Sequence, residues 1–112
     1  MQTLTTDSLL RMQGEQSDLT LVNVLDADAH RRAHLPGSAN VPVSAADFEK
    51  KVEDLVGEKE APVVVYCADQ ACDASPRAAR RLEDAGFKEV YDYEGGIAAW
   101  SEANQALDGA GD

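Results

Sequence analysis

Two cysteines stand five positions apart, Cys67 and Cys72, in a chain that has no others. A thiolate is a strong nucleophile and attacks divalent sulfur readily, so the pair is suited to sulfur transfer or thiol–disulfide exchange. Both thiols lie in one short segment and would staple nothing distant, which argues against a secreted disulfide framework. The residues around them are Ala68, Asp69, Gln70, Ala71, Asp73, Ala74 and Ser75, followed by Arg77. Arg77 is the nearest downstream cation and is placed to stabilise a thiolate or to face solvent. Cys72 is read either as a resolving thiol that attacks a sulfur-loaded Cys67 or as a small filler of the loop. An inert buried cysteine is the alternative for Cys67. His30 and His34 share a spacing that can serve a metal, but Pro36 should end the helix before His34 and no His-Glu-x-x-His pattern occurs. No metal and no cofactor is expected.

The elements that position Cys67 are legible on either side of it. Pro62 to Tyr66 is continuous in β-branched residues, as a central strand of a parallel sheet requires. Ser75-Pro76 offers a cap and a proline for the start of a helix carrying Ala78, Ala79, Leu82 and Ala85, and Gly86 ends it. Ligands of open α/β sheets bind beyond the carboxyl ends of the strands, and Cys67 lies at that edge. Backbone N–H groups at the start of the helix would face its sulfur, and such surroundings lower a thiol pKa to ~3.5–7.5. A depressed Cys67 pKa is therefore the expectation.

The same alternation runs through the whole chain. Ser8 closes the Thr6-Asp7-Ser8 cap of a first helix, Gly14 to Asp18 reads as a turn, and Leu19 to Leu25 as a buried strand. A short helix over Asp26 to Ala33 precedes a small strand at Ala39 to Pro42, and Ser44 caps a helix bearing Phe48, Val52, Leu55 and Val56. Val90 to Tyr93 is a further strand, Gly95-Gly96 a turn, and Ile97 to Asn104 a last helix with Trp100 inward. Strands alternating with helices give an α/β fold around a parallel sheet. The body is expected to span residues 1–105, with Ala106 to Asp112 as a frayed tail.

With 21 acidic and 10 basic residues, a formal charge of −11 repels nucleic acid and anionic lipid. No apolar run approaches the ~20 residues of a membrane helix. The first residues lack the pattern of a secretory signal, so a soluble cytoplasmic protein is expected.

Val63-Val64-Val65-Tyr66-Cys67, a loop, an alanine-rich helix and Gly95-Gly96-Ile97-Ala98-Ala99-Trp100 together resemble a rhodanese-like domain. His34-Leu35-Pro36-Gly37-Ser38-Ala39-Asn40-Val41-Pro42 resembles that family's His-Ile-Pro-Gly-Ala-x-Asn-x-Pro signature, and Gly86-Phe87 also fits. The resemblance implies a three-layer fold with a five-stranded parallel sheet. It also implies a sulfurtransferase in which Cys67 takes sulfane sulfur from a small donor and delivers it, as a persulfide, to a thiol or protein acceptor. Two departures stand out. Asn23-Val24-Leu25 replaces the family's Asp-Val-Arg, removing both charges together. The active loop is two residues longer than Cys-x-x-Gly-x-Arg-Ser and has neither its Gly nor its Arg. Asp69 and Asp73 would repel thiosulfate, so thiosulfate is expected to be a poor donor. A thiol redox switch and a non-catalytic binding module are the competing readings. A phosphatase of the Cys-x5-Arg type is excluded by Asp73 at the arginine position.

Overall fold

A computed structural model describes residues 2–16 and 19–109. Five strands form one parallel sheet: β1 (Gln2–Leu4), β2 (Thr20–Asn23), β3 (Ala39–Asn40), β4 (Val63–Tyr66) and β5 (Val90–Tyr93), in the order β1-β5-β4-β2-β3. β4 is central and pairs Val65 with Val22 of β2 and with Asp92 of β5. All four of its residues are buried, which explains its unbroken apolar sequence.

Alternation along the strands divides the core in two. Val63, Val65 and Val90 face α3 (Phe48–Val56) and α4 (Ala74–Asp84), where Phe48, Val52, Ala78, Ala79 and Leu82 complete one cluster. Val64, Tyr66 and Tyr93 face α1 (Thr6–Glu15) and α5 (Gly96–Glu102), packing with Leu9 and Trp100. The three-layer α/β architecture is the one the sequence led us to expect. Residue patterning yields four strands; the fifth, β1, is a three-residue edge strand paired, among the described residues, with β5 alone, too short and too exposed to carry a hydrophobic signature.

Several boundaries differ from expectation. Thr5 caps α1 by accepting from the Ser8 N–H, and the helix runs through Gly14, which is not among the glycines at positive φ. The turn expected over Gly14 to Asp18 is thus partly helix, and Ser17 and Asp18 lie outside the described residues. Ser44 caps nothing: the chain turns through Pro42 to Asp47, with Ala45 N–H bonding Pro42 and Phe48 N–H bonding Ala45, and α3 begins at Phe48. Arg81 holds this turn by donating to the Val43 carbonyl at 2.6 Å while its guanidinium grips Glu49 with two bonds of 2.8 Å.

Of the segment expected to fray, Ala106 to Gly109 is docked. Trp100 Nε1 donates to the Ala106 carbonyl at 2.8 Å, and Asp108 and His34 exchange backbone hydrogen bonds of 2.8 and 2.9 Å. The remainder, 110–112, lies outside the described residues. α2 (Ala27–Arg32), capped by Asp26, ends before His34. The two histidine rings stack at 4.0 Å, and His34 Nδ1 meets the His30 carbonyl at 2.7 Å. Among the described residues no three His, Cys, Asp or Glu side chains converge as a metal site.

Asn23 shows what replaced the missing charges. Its Oδ1 accepts from Leu25 N–H at 2.9 Å and its Nδ2 donates to Tyr66 Oη at 3.2 Å. Tyr66 Oη also accepts from Leu35 N–H at 3.0 Å and meets Ser38 Oγ at 2.7 Å. A neutral, closed network therefore ties β2, β4 and the turn at Leu35 to Ser38 without a buried charge.

Candidate functional site

β4 delivers Cys67 to the carboxyl edge of the sheet, and the site is built from what then surrounds it. The loop from Ala68 to Asp73 folds over the thiol rather than standing open. Asp69 is the reason: its Oδ1 accepts from the N–H groups of Ala71 and Cys72 at 3.0 and 3.1 Å, and its carbonyl accepts from Cys72 N–H at 3.2 Å. These bonds bend the two-residue-longer loop back, so that the Cys72 carbonyl comes within 3.7 Å of Cys67 Sγ. Both cysteines are free thiols; Cys67 is fully buried and Cys72 partly so.

The floor of the loop is clamped by the start of α5. Ile97 N–H donates to the Cys67 carbonyl at 3.1 Å and Ala98 N–H to the Ala68 carbonyl at 2.9 Å. Gly96 makes this approach possible: it sits at φ +59°, and a Cβ there would overlap the Cys67 carbonyl.

Asp73 is the N-cap residue of α4 but its side chain makes no capping bond; Ala74 and Ser75 are the first two helical residues and are buried. Pro76 is therefore the third helical residue, still within the turn whose N–H groups have no intrahelical partner. Ser75 is not the cap but faces inward. Arg77 turns away from the thiol and pairs loosely with Asp73 at 3.5 Å, with 57% and 84% of the two side chains exposed. Gln70 is exposed and lines a groove of about 270 Å³ with Leu4, Thr6 and Tyr93 beside the loop. The structure thus gathers Cys67, Cys72 and Ser75, uses Ala68, Asp69 and Ala71 as loop framework, and leaves Gln70, Asp73 and Arg77 at the surface.

The electrostatics overturn one expectation. Burial pushes the Cys67 thiol up to about 11, the adjacent Cys72 thiol adds to the rise, and the hydroxyl and backbone N–H of Ser75 pull against it without prevailing. The sequence pattern supplies the helix N-terminus that depresses a thiol pKa, but not the closure of the loop that withdraws the sulfur from water. Asp92 went unnoticed in the sequence. It is 1% exposed, and its pKa is raised, chiefly by burial, with Ser75 pulling it down and Glu94 pushing it up. Its one sequence signal is a charge at the second core-facing position of β5, after Val90.

The comparisons with known proteins point to one family. The model of the rhodanese-like domain matches residues 5–103. Thiosulfate sulfurtransferase GlpE of Coxiella burnetii is 30% identical over 94 residues, covering 84% of this chain and 82% of that protein. An HTH-type transcriptional regulator of Mycobacterium tuberculosis is 31% identical over 105 residues; the match takes in 94% of this chain but only 44% of the regulator. Thiosulfate sulfurtransferase of Pseudomonas aeruginosa superposes with a TM-score of 0.85 at 21% identity, over 97% of this chain and 20% of that one, a likeness of fold. Because that family match runs across nearly the whole chain, this protein belongs to the rhodanese-like domains.

Proposed function

We propose that the protein is a sulfurtransferase that carries sulfane sulfur as a Cys67 persulfide and passes it to a thiol acceptor. The observation that carries this reading is the placement of Cys67 at the carboxyl end of β4, its carbonyl pinned by Ile97 and its sulfur beside a second thiol. In the loading step the Cys67 thiolate attacks the outer sulfur of a small persulfide; the donor's S–S bond breaks, a Cys67 S–S bond forms, and the donor departs as thiolate. Because the loop covers Cys67, the donor reaches it only when the segment from Ala68 to Asp73 moves aside. Thiosulfate fits poorly, since Arg77, the next arginine along the chain, pairs with Asp73 at the surface, and among the described residues the groups acting on Cys67 include no cation.

Cys72 supplies a second unloading route, in which the sulfur leaves as sulfide instead of passing to an acceptor thiol. Its thiol attacks the inner sulfur of the persulfide, giving a Cys67–Cys72 disulfide and hydrogen sulfide, and an external thiol reductant then restores both cysteines. The closeness of the two thiols also favours a second reading, a redox switch that forms the same disulfide under oxidant without carrying sulfur. Intact mass without added reductant separates them. After exposure to a small persulfide, Cys72→Ser, which cannot close the disulfide, should gain one sulfur atom that reductant removes and that Cys67→Ser never acquires. Loss of two hydrogens by wild type with no sulfur gained by Cys72→Ser would establish the switch, and an unchanged mass of both would point to a binding module.

A further inference from the structure

Asp92 and Ser75 form a buried polar pair that the sulfur-transfer step as written does not use. Asp92 is flanked in β5 by Tyr91 and Tyr93, whose rings belong to the opposite core cluster, so it shares the face of Val90 and Val65 that lies under α4. That face leads directly up β4 to Cys67. Ser75, 1% exposed in the first turn of α4, stands over the same place. Neither carboxylate oxygen of Asp92 closes a hydrogen bond, and neither does Ser75 Oγ. The hydroxyl nevertheless acts on both neighbours, Cys67 and Asp92. The other titratable groups acting here are Cys72 in the loop and Glu94 after β5, while α4 contributes Ala78, Ala79 and Leu82.

A buried carboxyl whose one polar neighbour is a serine hydroxyl is costly, and in this chain it stands one hydroxyl away from a nucleophile on which no cation acts among the described residues. We propose that Asp92 is the proton acceptor for Cys67, working through Ser75. As the sulfur attacks, the Cys67 S–H proton passes to Ser75 Oγ and the Ser75 hydroxyl proton passes to the Asp92 carboxylate. The S–H bond breaks, a carboxyl O–H forms, and Ser75 ends with the one proton it began with. The compartment holds one negative charge before and after. Ionising Cys67 to bulk water would instead add a second buried charge beside Asp92, which is far less favourable. Asp92 thereby does in the interior what an arginine would do from the loop: it makes a sulfur anion tolerable in a dry site.

The inference rests on the sulfurtransferase reading only for the step it serves, so its test needs no sulfur donor. The rate of Cys67 modification by iodoacetamide is followed against pH by peptide mass, with Cys72 modification in the same samples as the gauge of loop opening. Wild type should react at neutral pH along a broad plateau set by the carboxylate. Asp92→Asn should react about tenfold or more slowly there, its rate climbing with pH until the thiol ionises unaided. Ser75→Ala should lose the plateau in the same way, and it carries the test if the Asn variant does not fold. An Asp92→Asn profile identical to wild type would overturn the proposal. So would a faster reaction, because the carboxylate would then be merely a repelling charge.

Discussion

Two buried polar clusters flank β4, and they are built to opposite rules. On the α1/α5 side, Tyr66, Asn23 and Ser38 form a closed network in which each polar atom of the Asn23 amide and the Tyr66 hydroxyl has a partner between 2.7 and 3.2 Å. On the α4 side, Ser75 Oγ and both oxygens of Asp92 have none. The first cluster carries no charge and sits where the resemblance to the family would place an ion pair. The second keeps an ionisable group and sits below Cys67. Fully satisfied polar groups rigidify a fold, whereas unsatisfied ones hold free energy that a reaction can use. The contrast separates scaffold from proposed chemistry within one sheet.

The comparison is broken most sharply at Tyr66. Tyr66→Phe removes the acceptor of Leu35 N–H and the partner of Asn23 Nδ2, leaving two buried donors unpaired, and should cost about 2–4 kcal/mol of stability in urea unfolding. A loss below about 1 kcal/mol would mean that water serves those donors and that the network is not closed.

Asp92→Asn should act with the opposite sign, raising stability at neutral pH by about 1–3 kcal/mol because an unpartnered buried carboxylate is removed. The direction with pH follows from linkage. Asp92 is raised above its unfolded value of 3.8, so the native state holds the proton more tightly, and wild-type stability falls as pH rises from 3.8 through the higher native pKa. The asparagine does not titrate. Its advantage should therefore be small in acid and should grow through that window to a plateau. Parallel unfolding midpoints of the two proteins from pH ~3 to ~8 measure it, since every other group cancels in the difference. An advantage that was constant across the range would show that Asp92 is not the group responsible.

What the sequence made legible follows the same division. β4, α4 and the glycines at 95 and 96 carry strong local signals, because continuous burial demands valine runs and close backbone approach demands glycine. Cys67 is found by its position after that strand. β1 carries no such signal, since its pairing to β5 is long-range and its side chains are mostly exposed. Ser44 and Ser75 look alike as caps, yet one lies in a turn held by Arg81 and the other is buried in the first helical turn; tertiary contacts decide between them. The raised thiol pKa was unreadable for a related reason. It depends on Asp69 curling the loop over Cys67, a bend that residue types permit but do not announce.

The smallest effect is expected at Cys72, and it tests whether the two thiols belong to one site. Burial is the largest cause of the Cys67 rise to about 11, and the neighbouring Cys72 side chain is the next. Cys72→Ala should therefore lower the Cys67 titration while leaving it above the ordinary thiol value of 9.0, because the loop closed by Asp69 still excludes water. The difference in ultraviolet absorbance between this variant and one that also carries Cys67→Ser cancels the three tyrosines and follows that titration. An unchanged midpoint would set the Cys72 thiol outside the site and remove its role as the resolving group. A midpoint at or below 9.0 would show instead that the second thiol, and not burial, governs Cys67, and that the loop is open enough for water to reach the sulfur.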